Sequence, residues 1–275
     1  MSKSHIQLQH QHKDVSTASV ARIGIFQPTR RPVEKSWAVE TQWGSAQITG
    51  RLGQRHTDFM ECCRDVAQLV GLDNVGRHCC IVDPSKLRTA LSHGRARLSW
   101  TQMKGLANDL RTCSVSNLRI KSMPGFGVVT AGILDTVEYQ GVEQVPARAG
   151  TRLNGVVMKD RAVVKAGPLA GPDARRELWM VAFSKAWTEL IGKDMPVSYR
   201  GRLRQIIALR HGASQAVARF MLTHEPGAEY SIDNALTIVG VHKSVLRHHR
   251  RELHEDAEGL AAAGVIIAGD AITTL

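Results

Sequence analysis

Ser231-Ile232-Asp233-Asn234-Ala235-Leu236-Thr237-Ile238-Val239-Gly240-Val241-His242-Lys243-Ser244-Val245-Leu246-Arg247-His248-His249-Arg250-Arg251 holds a helix cap, a short apolar helix, a glycine turn and the start of a cation-bearing helix. Ser231 offers its hydroxyl to the orphan amides at the start of 232–239. Gly240-Val241-His242 breaks that helix, and a longer one is predicted over 243–257, with Leu246, Leu253, Ala257 and Leu260 as its apolar stripe. Lys243, Arg247, Arg250 and His254 follow one another at spacings of 4, 3 and 4, so their heads share a different face. Gly269-Asp270 then joins 265–268 to 271–273 as a two-residue hairpin turn. Helix, turn, basic helix and short β-wing make up the pattern of a winged helix.

The same order occurs earlier, over 83–138. Asp83-Pro84 is a start signal, an N-cap side chain followed by proline at the first helical position. Leu87, Ala90 and Leu91 line the inner face of a short helix that Ser92-His93-Gly94 ends. Ser99-Trp100-Thr101-Gln102 reads as a capping box. Trp100, Met103, Leu106, Ala107 and Leu110 form the next helix's buried stripe, and Thr101, Gln102, Lys104, Asn108 and Arg111 face outward. Strands at 114–120 and 128–139 flank the loop 121–127 as a wing that carries Arg119 and Lys121.

Around these copies the chain divides into a polar tail predicted to be disordered (1–22), an N-terminal winged-helix domain (23–139), a Gly-, Pro- and Ala-rich linker (140–174) and a C-terminal winged-helix domain (175–275). In the first domain, strands are expected at 23–27, 37–43 and 46–49, the last two paired across Gly44-Ser45. A helix is expected from Thr57 to a C-cap at Gly71. Part of 156–164 adds a strand to the linker. In the second, a strand at 178–183 precedes a helix capped by Ser184 and ended by Gly192. Helices follow at 200–209 and 213–224, the latter burying Val217, Phe220 and Met221. The expected fold class is α+β, two tandem winged helices.

The chain of 275 residues carries a formal charge of +11, most of it in the first half. Such an excess favours polyanions, nucleic acid ahead of anionic membrane. No apolar run approaches the ~20 residues of a membrane span, and the N-terminus lacks the apolar core of a secretory signal. Five cysteines, including the doublets Cys62-Cys63 and Cys79-Cys80, form no C-x-x-C pair. They read as buried thiols of a protein of the reducing bacterial cytoplasm, and neither metal nor cofactor is expected. No phosphate-binding G-x-x-x-x-G-K-[ST] loop or G-x-S-x-G elbow is present, and His10-Gln11-His12 lacks the apolar centre of a nicking enzyme's metal pair. Catalysis is therefore not expected.

A solvated basic face is common on surface helices. Here the preceding helix and tight turn supply the setting that a recognition helix needs. Lys243, Ser244, Arg247, His248, Arg250, Arg251 and His254 are accordingly assigned to DNA, with arginine able to read guanine bidentately. In the first copy, Gln102 and Asn108 suit adenine, Thr101 lies beside them, and Arg95, Arg97, Lys104 and Arg111 suit phosphates. Arg119 and Lys121 at the wing suit a minor groove or backbone. Arg247→Ala or Arg250→Ala should weaken specific binding more than Lys104→Ala.

The arrangement resembles the replication initiators of iteron-bearing plasmids, closest to the initiator of IncQ-type broad-host-range plasmids. The likeness runs roughly over 37–267. It is carried by Trp43-Gly44, 58–71, 85–115, 177–191, 213–224, Ser231-Ile232-Asp233-Asn234-Ala235-Leu236 and the basic helix leading into 260–265. It implies a protein that binds tandem origin repeats in double-stranded DNA, promotes opening of adjacent AT-rich DNA and loads a replicative helicase or primase. A monomer–dimer equilibrium occurs in some relatives. A plasmid-encoded transcriptional repressor or partition regulator would use the same folds, and a nicking-type replication enzyme is the rival of another class.

Overall fold

The structure, a computed structural model, describes residues 14–73, 75–93, 96–141, 152–153, 156–157 and 177–275. The expected disorder of 1–13, most of the linker, and Arg95 lie outside the described residues. From residue 14 the chain is folded, which shortens the predicted tail. Ser16–Thr17 (β1) pairs with the later strand Pro196–Val197, and Ala18–Ile23 (α1) follows. Of the apolar residues in this polar stretch, Val15, Ala18, Val20 and Ile23 are buried, and the Ser19 amide donates to Asp194 at 2.8 Å. These partners are about 175 residues away, so local composition could not reveal them. Ile23, expected in a strand, ends α1. Gly24 stops that helix at a φ of 74°, a left-handed conformation suited to glycine.

Lys35–Glu40 (β2) and Gly44–Gly50 (β3) form a hairpin that turns at Thr41–Gly44, where the Thr41 amide donates to the Gly44 carbonyl at 2.8 Å. Gln54–Asp65 (α2) starts three residues earlier than predicted and ends well before Gly71. The remaining apolar residues enter Leu69–Leu72 (β4), whose partner is His78–Val82 (β5), with Val70 opposite Cys80. Strand pairing thus overrides a helical period that runs on through Val70. Pro84–Leu91 (α3) begins as expected, the Asp83 carboxylate accepting from the Ser85 amide at 2.8 Å. Trp100–Thr112 (α4) has its capping box: Gln102 accepts from the Ser99 amide at 2.8 Å and Ser99 from the Gln102 amide at 3.1 Å.

Ser114–Ile120 (β6) pairs with both β3 and Gly127–Ala131 (β7). The single strand expected over 128–139 is two strands. Gly132 sits so close to the Arg111 carbonyl that a Cβ would come within 2.8 Å of it, and buried Ile133 donates its amide to Leu110 at 3.1 Å. The chain therefore turns there and leaves the sheet, and Leu134–Gly141 (β8) belongs to a second one. Arg152–Leu153 (β9) and Val156–Val157 (β10) pair with each other.

Glu177–Phe183 (β11), expected to open the second domain, inserts antiparallel between β5 and β8. The first half thus contains the sheets β2-β3-β6-β7 and β4-β5-β11-β8. Ser184 caps Lys185–Lys193 (α5), which buries Trp187 and Leu190. Pro196–Val197 (β12) then returns to β1. After a short 3₁₀ turn come Leu203–Ala208 (α6) and Gly212–Met221 (α7), which is buried along its whole length. The last unit is Glu229–Ser231 (β13), Ile232–Ile238 (α8), Leu246–Glu255 (α9), Ala257–Ala263 (α10), Val265–Ala268 (β14) and Ala271–Thr274 (β15), with sheet order β13-β15-β14.

One apolar cluster runs through both halves, from Ile48 and Phe59 through Trp179 and Phe220 to Leu253 and Ile272. At the junction of α2 and α7, Arg219 is fully enclosed. It donates to Asp58 at 2.6 Å, to Glu61 at 2.8 and 2.9 Å and to Gln54 at 2.9 Å. Tyr199 adds a hydrogen bond to Glu61 at 2.7 Å. Burial pushes the Glu61 carboxyl up despite the opposing pull of the Arg219 guanidinium. Removing the arginine would strand two carboxylates in the interior.

Candidate nucleic-acid interface

The C-terminal cations are positioned by three elements. Ser231 caps α8, accepting from the Asn234 amide at 3.2 Å. Apolar Ile232, Ala235, Leu236, Val239 and Val241 bury the short helix and its turn. His242 then caps a 3₁₀ turn, Lys243–Val245, which leads directly into α9. The predicted helix over 243–257 is thus a 3₁₀ turn plus α9, with a bend at Asp256. The buried Asp256 carboxylate accepts from the amides of Arg210 and His211 at 3.0 and 2.9 Å. Those bonds tie the end of α9 to the start of α7, and the chain restarts as α10.

Along α9 only Leu253 is fully buried, with Leu246 packed against the core. Lys243, Ser244, Arg247, His248, Arg251 and His254 are exposed. Arg250 differs from its neighbours. Its guanidinium holds Asp233 of α8 at 2.8 Å and Asp270 at the hairpin tip at 2.6 Å. Its pKa is raised above the usual arginine value by the Asp233 hydrogen bond and charge, joined by Asp270. The Ile232 amide also donates to the Asp270 carbonyl at 2.9 Å. Arg250 therefore locks helix, preceding helix and hairpin into one unit. Glu252 balances His249 at 2.6 Å, His211 at 3.2 Å and His248 at 3.3 Å.

The first-half residues lie on α4 and its flanks. Arg97, Thr101, Gln102, Lys104, Asn108, Arg111, Arg119 and Lys121 are all exposed. The Gln102 side chain is engaged in the capping box, and Asn108 accepts from Arg111 at 3.1 Å. Trp100, expected inside, is 42% exposed and lies beneath the Arg88 guanidinium, 4.9 Å from ring centre to Cζ. α4 is clamped to α2 through Asp109, which accepts from His56 at 3.1 Å and from Arg51 at 2.9 Å. Burial alone would raise the Asp109 carboxyl, but these hydrogen bonds outweigh it and hold the group below its usual range.

Between these two helices lies a cleft of about 710 Å³ whose rims include Gln102 of α4 and Glu252 of α9. Its walls carry Arg30, Arg31, Arg55, Arg210 and His211. None of these was singled out from the sequence. They come from three separate segments, and Arg30-Arg31 gives a local hint, as a basic pair between Pro28 and Pro32.

No protein-family model matches the chain, and no curated protein sequence matches it. Among solved structures, the chain superposes on a crystal structure of selenomethionine derivatives of domains 2 and 3 of RctB, with a TM-score of 0.52. The match covers 94% of this chain and 99% of that one at 11% identity. At that identity the likeness is one of fold, a mixed α+β architecture. Among the described residues no helix is long and apolar enough to cross a membrane.

Proposed function

We propose that the chain is a sequence-specific duplex-DNA-binding replication initiator that acts by binding, not by catalysis. α8 and α9 with the β14–β15 hairpin serve as one winged helix, and α3 and α4 with the β6–β7 hairpin as a second. The observation that carries the reading is the exposed cation row of α9, held by Arg250 between α8 and the hairpin tip. A recognition helix requires this combination of outward cations and a rigid mount. RctB is itself a replication initiator, and the shared fold supports the same role here. The finer reading keeps the plasmid resemblance. The protein binds direct repeats at an origin, promotes opening of neighbouring DNA and recruits a replicative helicase.

Footprinting on the DNA that flanks the coding region tests this reading. Protected direct repeats of about 20 base pairs, the span of two major-groove readers, are expected. Protection of a lone promoter palindrome would favour a repressor. A covalent protein–DNA adduct at a tyrosine on supercoiled plasmid would make the protein a nicking enzyme.

A further inference from the structure

The segment Pro28-Thr29-Arg30-Arg31-Pro32 has no helix or strand of its own, yet it is fixed tightly. Its Thr29 backbone passes between Gly53 and Gly212, at the starts of α2 and α7. A Cβ on Gly53 would lie 2.6 Å from the Thr29 carbonyl oxygen, and one on Gly212 would lie 2.4 Å from the Thr29 Cα. Only glycine leaves room at either place. The Gln54 amide donates to the Thr29 carbonyl at 2.9 Å, and Arg30 donates to the carbonyls of Ile207 and Leu209 at 3.3 and 3.2 Å. Arg30 thereby anchors the strap and Arg31 is presented.

Arg31, Arg55, Arg210 and His211 converge on the cleft between α4 and α9, and among the described residues Glu252 is the single carboxylate lining it. That carboxylate is already shared by three histidines. Like charges gathered in a concave wall repel one another and focus a positive potential outward. A polyanion passing through would relieve that repulsion.

We infer that this cleft takes the phosphate backbone of the duplex segment lying between the parts contacted by α4 and α9. The inference rests on the duplex-binding reading above and adds to it a sequence-independent contact at its centre. Each phosphate neutralised contributes about 0.9 to the slope of log affinity against log salt.

The test measures binding of the full chain to a labelled 40-base-pair duplex of mixed sequence across a salt series. Arg31→Ala/Arg210→Ala should flatten the slope by about 2. Arg31→Lys/Arg210→Lys should restore it, which a variant with a damaged fold would not do. Lys86→Ala/Lys185→Ala, exposed cations away from the cleft, should leave it unchanged. An unchanged slope for Arg31→Ala/Arg210→Ala, alongside a flattened one for Lys243→Ala/Arg247→Ala, overturns the cleft assignment and leaves the duplex reading intact. Salt-insensitive binding by the unmodified protein sinks both. Preferential binding of a single strand of equal length, lost in Arg31→Ala/Arg210→Ala, would assign the cleft to an unpaired strand and overturn the duplex inference.

Discussion

α4 and α9 are both amphipathic and basic, yet they spend their polar side chains differently. On α4, Gln102 closes a capping box, Asn108 accepts from Arg111, and Asp109 is held by His56 and Arg51. On α9 and the 3₁₀ turn that leads into it, six of the seven assigned residues stand exposed; Arg250 is committed to a double ion pair, while His248 and Arg251 each meet a single carboxylate, Glu252 and Glu255, at 3.3 Å. α4 buries Met103, Ala107 and Leu110, while α9 buries Leu253 alone. A helix anchored by its core can use polar groups to fix its ends. A helix with little core must be braced from outside, and Arg250 is the brace. The contrast teaches that a basic helix is to be judged by where its charged groups are already engaged, not by their number.

The largest expected effect breaks the comparison if it fails. Lys243→Ala/Arg247→Ala should cost about 1–3 kcal/mol per contact in duplex affinity, measured by fluorescence anisotropy, and more than Lys104→Ala/Arg111→Ala. Equal losses would erase the distinction between the helices. Next comes Asp270→Asn. If Arg250 itself gripped DNA, removing a nearby negative charge would strengthen binding. If Arg250 acts as a brace, Asp270→Asn should weaken binding several-fold, and its effect with Arg250→Ala should be non-additive in a double-mutant cycle.

A smaller change is expected from Ser99→Ala, which removes the α4 cap. It should lower stability by about 1 kcal/mol in urea denaturation while leaving salt-dependent binding unchanged. The smallest effect concerns acid. The Asp109 carboxyl lies below its ordinary value in the folded state, so its contribution is complete above the unfolded pKa of about 3.9 and is lost as pH falls through the folded one. Asp109→Asn should flatten the acid limb of the stability profile by that amount, and an identical profile in the variant would remove the clamp.

Signals made by neighbouring residues were legible. Asp83-Pro84, the Ser99–Gln102 box, the Ser184 and Ser231 caps and the Gly269-Asp270 turn all stand as the residues imply. What could not be read locally depends on distant partners. α1 is hidden in a polar stretch because its contacts lie near residue 194. Val70 continues a helical period yet pairs with Cys80. Ile133 leaves one sheet for another because Gly132 abuts the Arg111 carbonyl. The exposed face of α9 was visible from spacing, but the diversion of Arg250 was not, since Asp233 and Asp270 carry no signature of their target. The cleft arginines were missed because three separate segments must fold before they become neighbours.

The insertion of β11 between β5 and β8 alters what it means to divide this molecule. A nick anywhere between β10 and β11 would break covalent continuity without separating the pieces. The downstream fragment would still supply the strand flanked by both upstream neighbours, and its Arg219 would still be seated among upstream carboxylates. The two helices proposed to read DNA, α4 and α9, are thereby joined through a shared interior, so the spacing between them is set by packing and not by the length of the intervening chain.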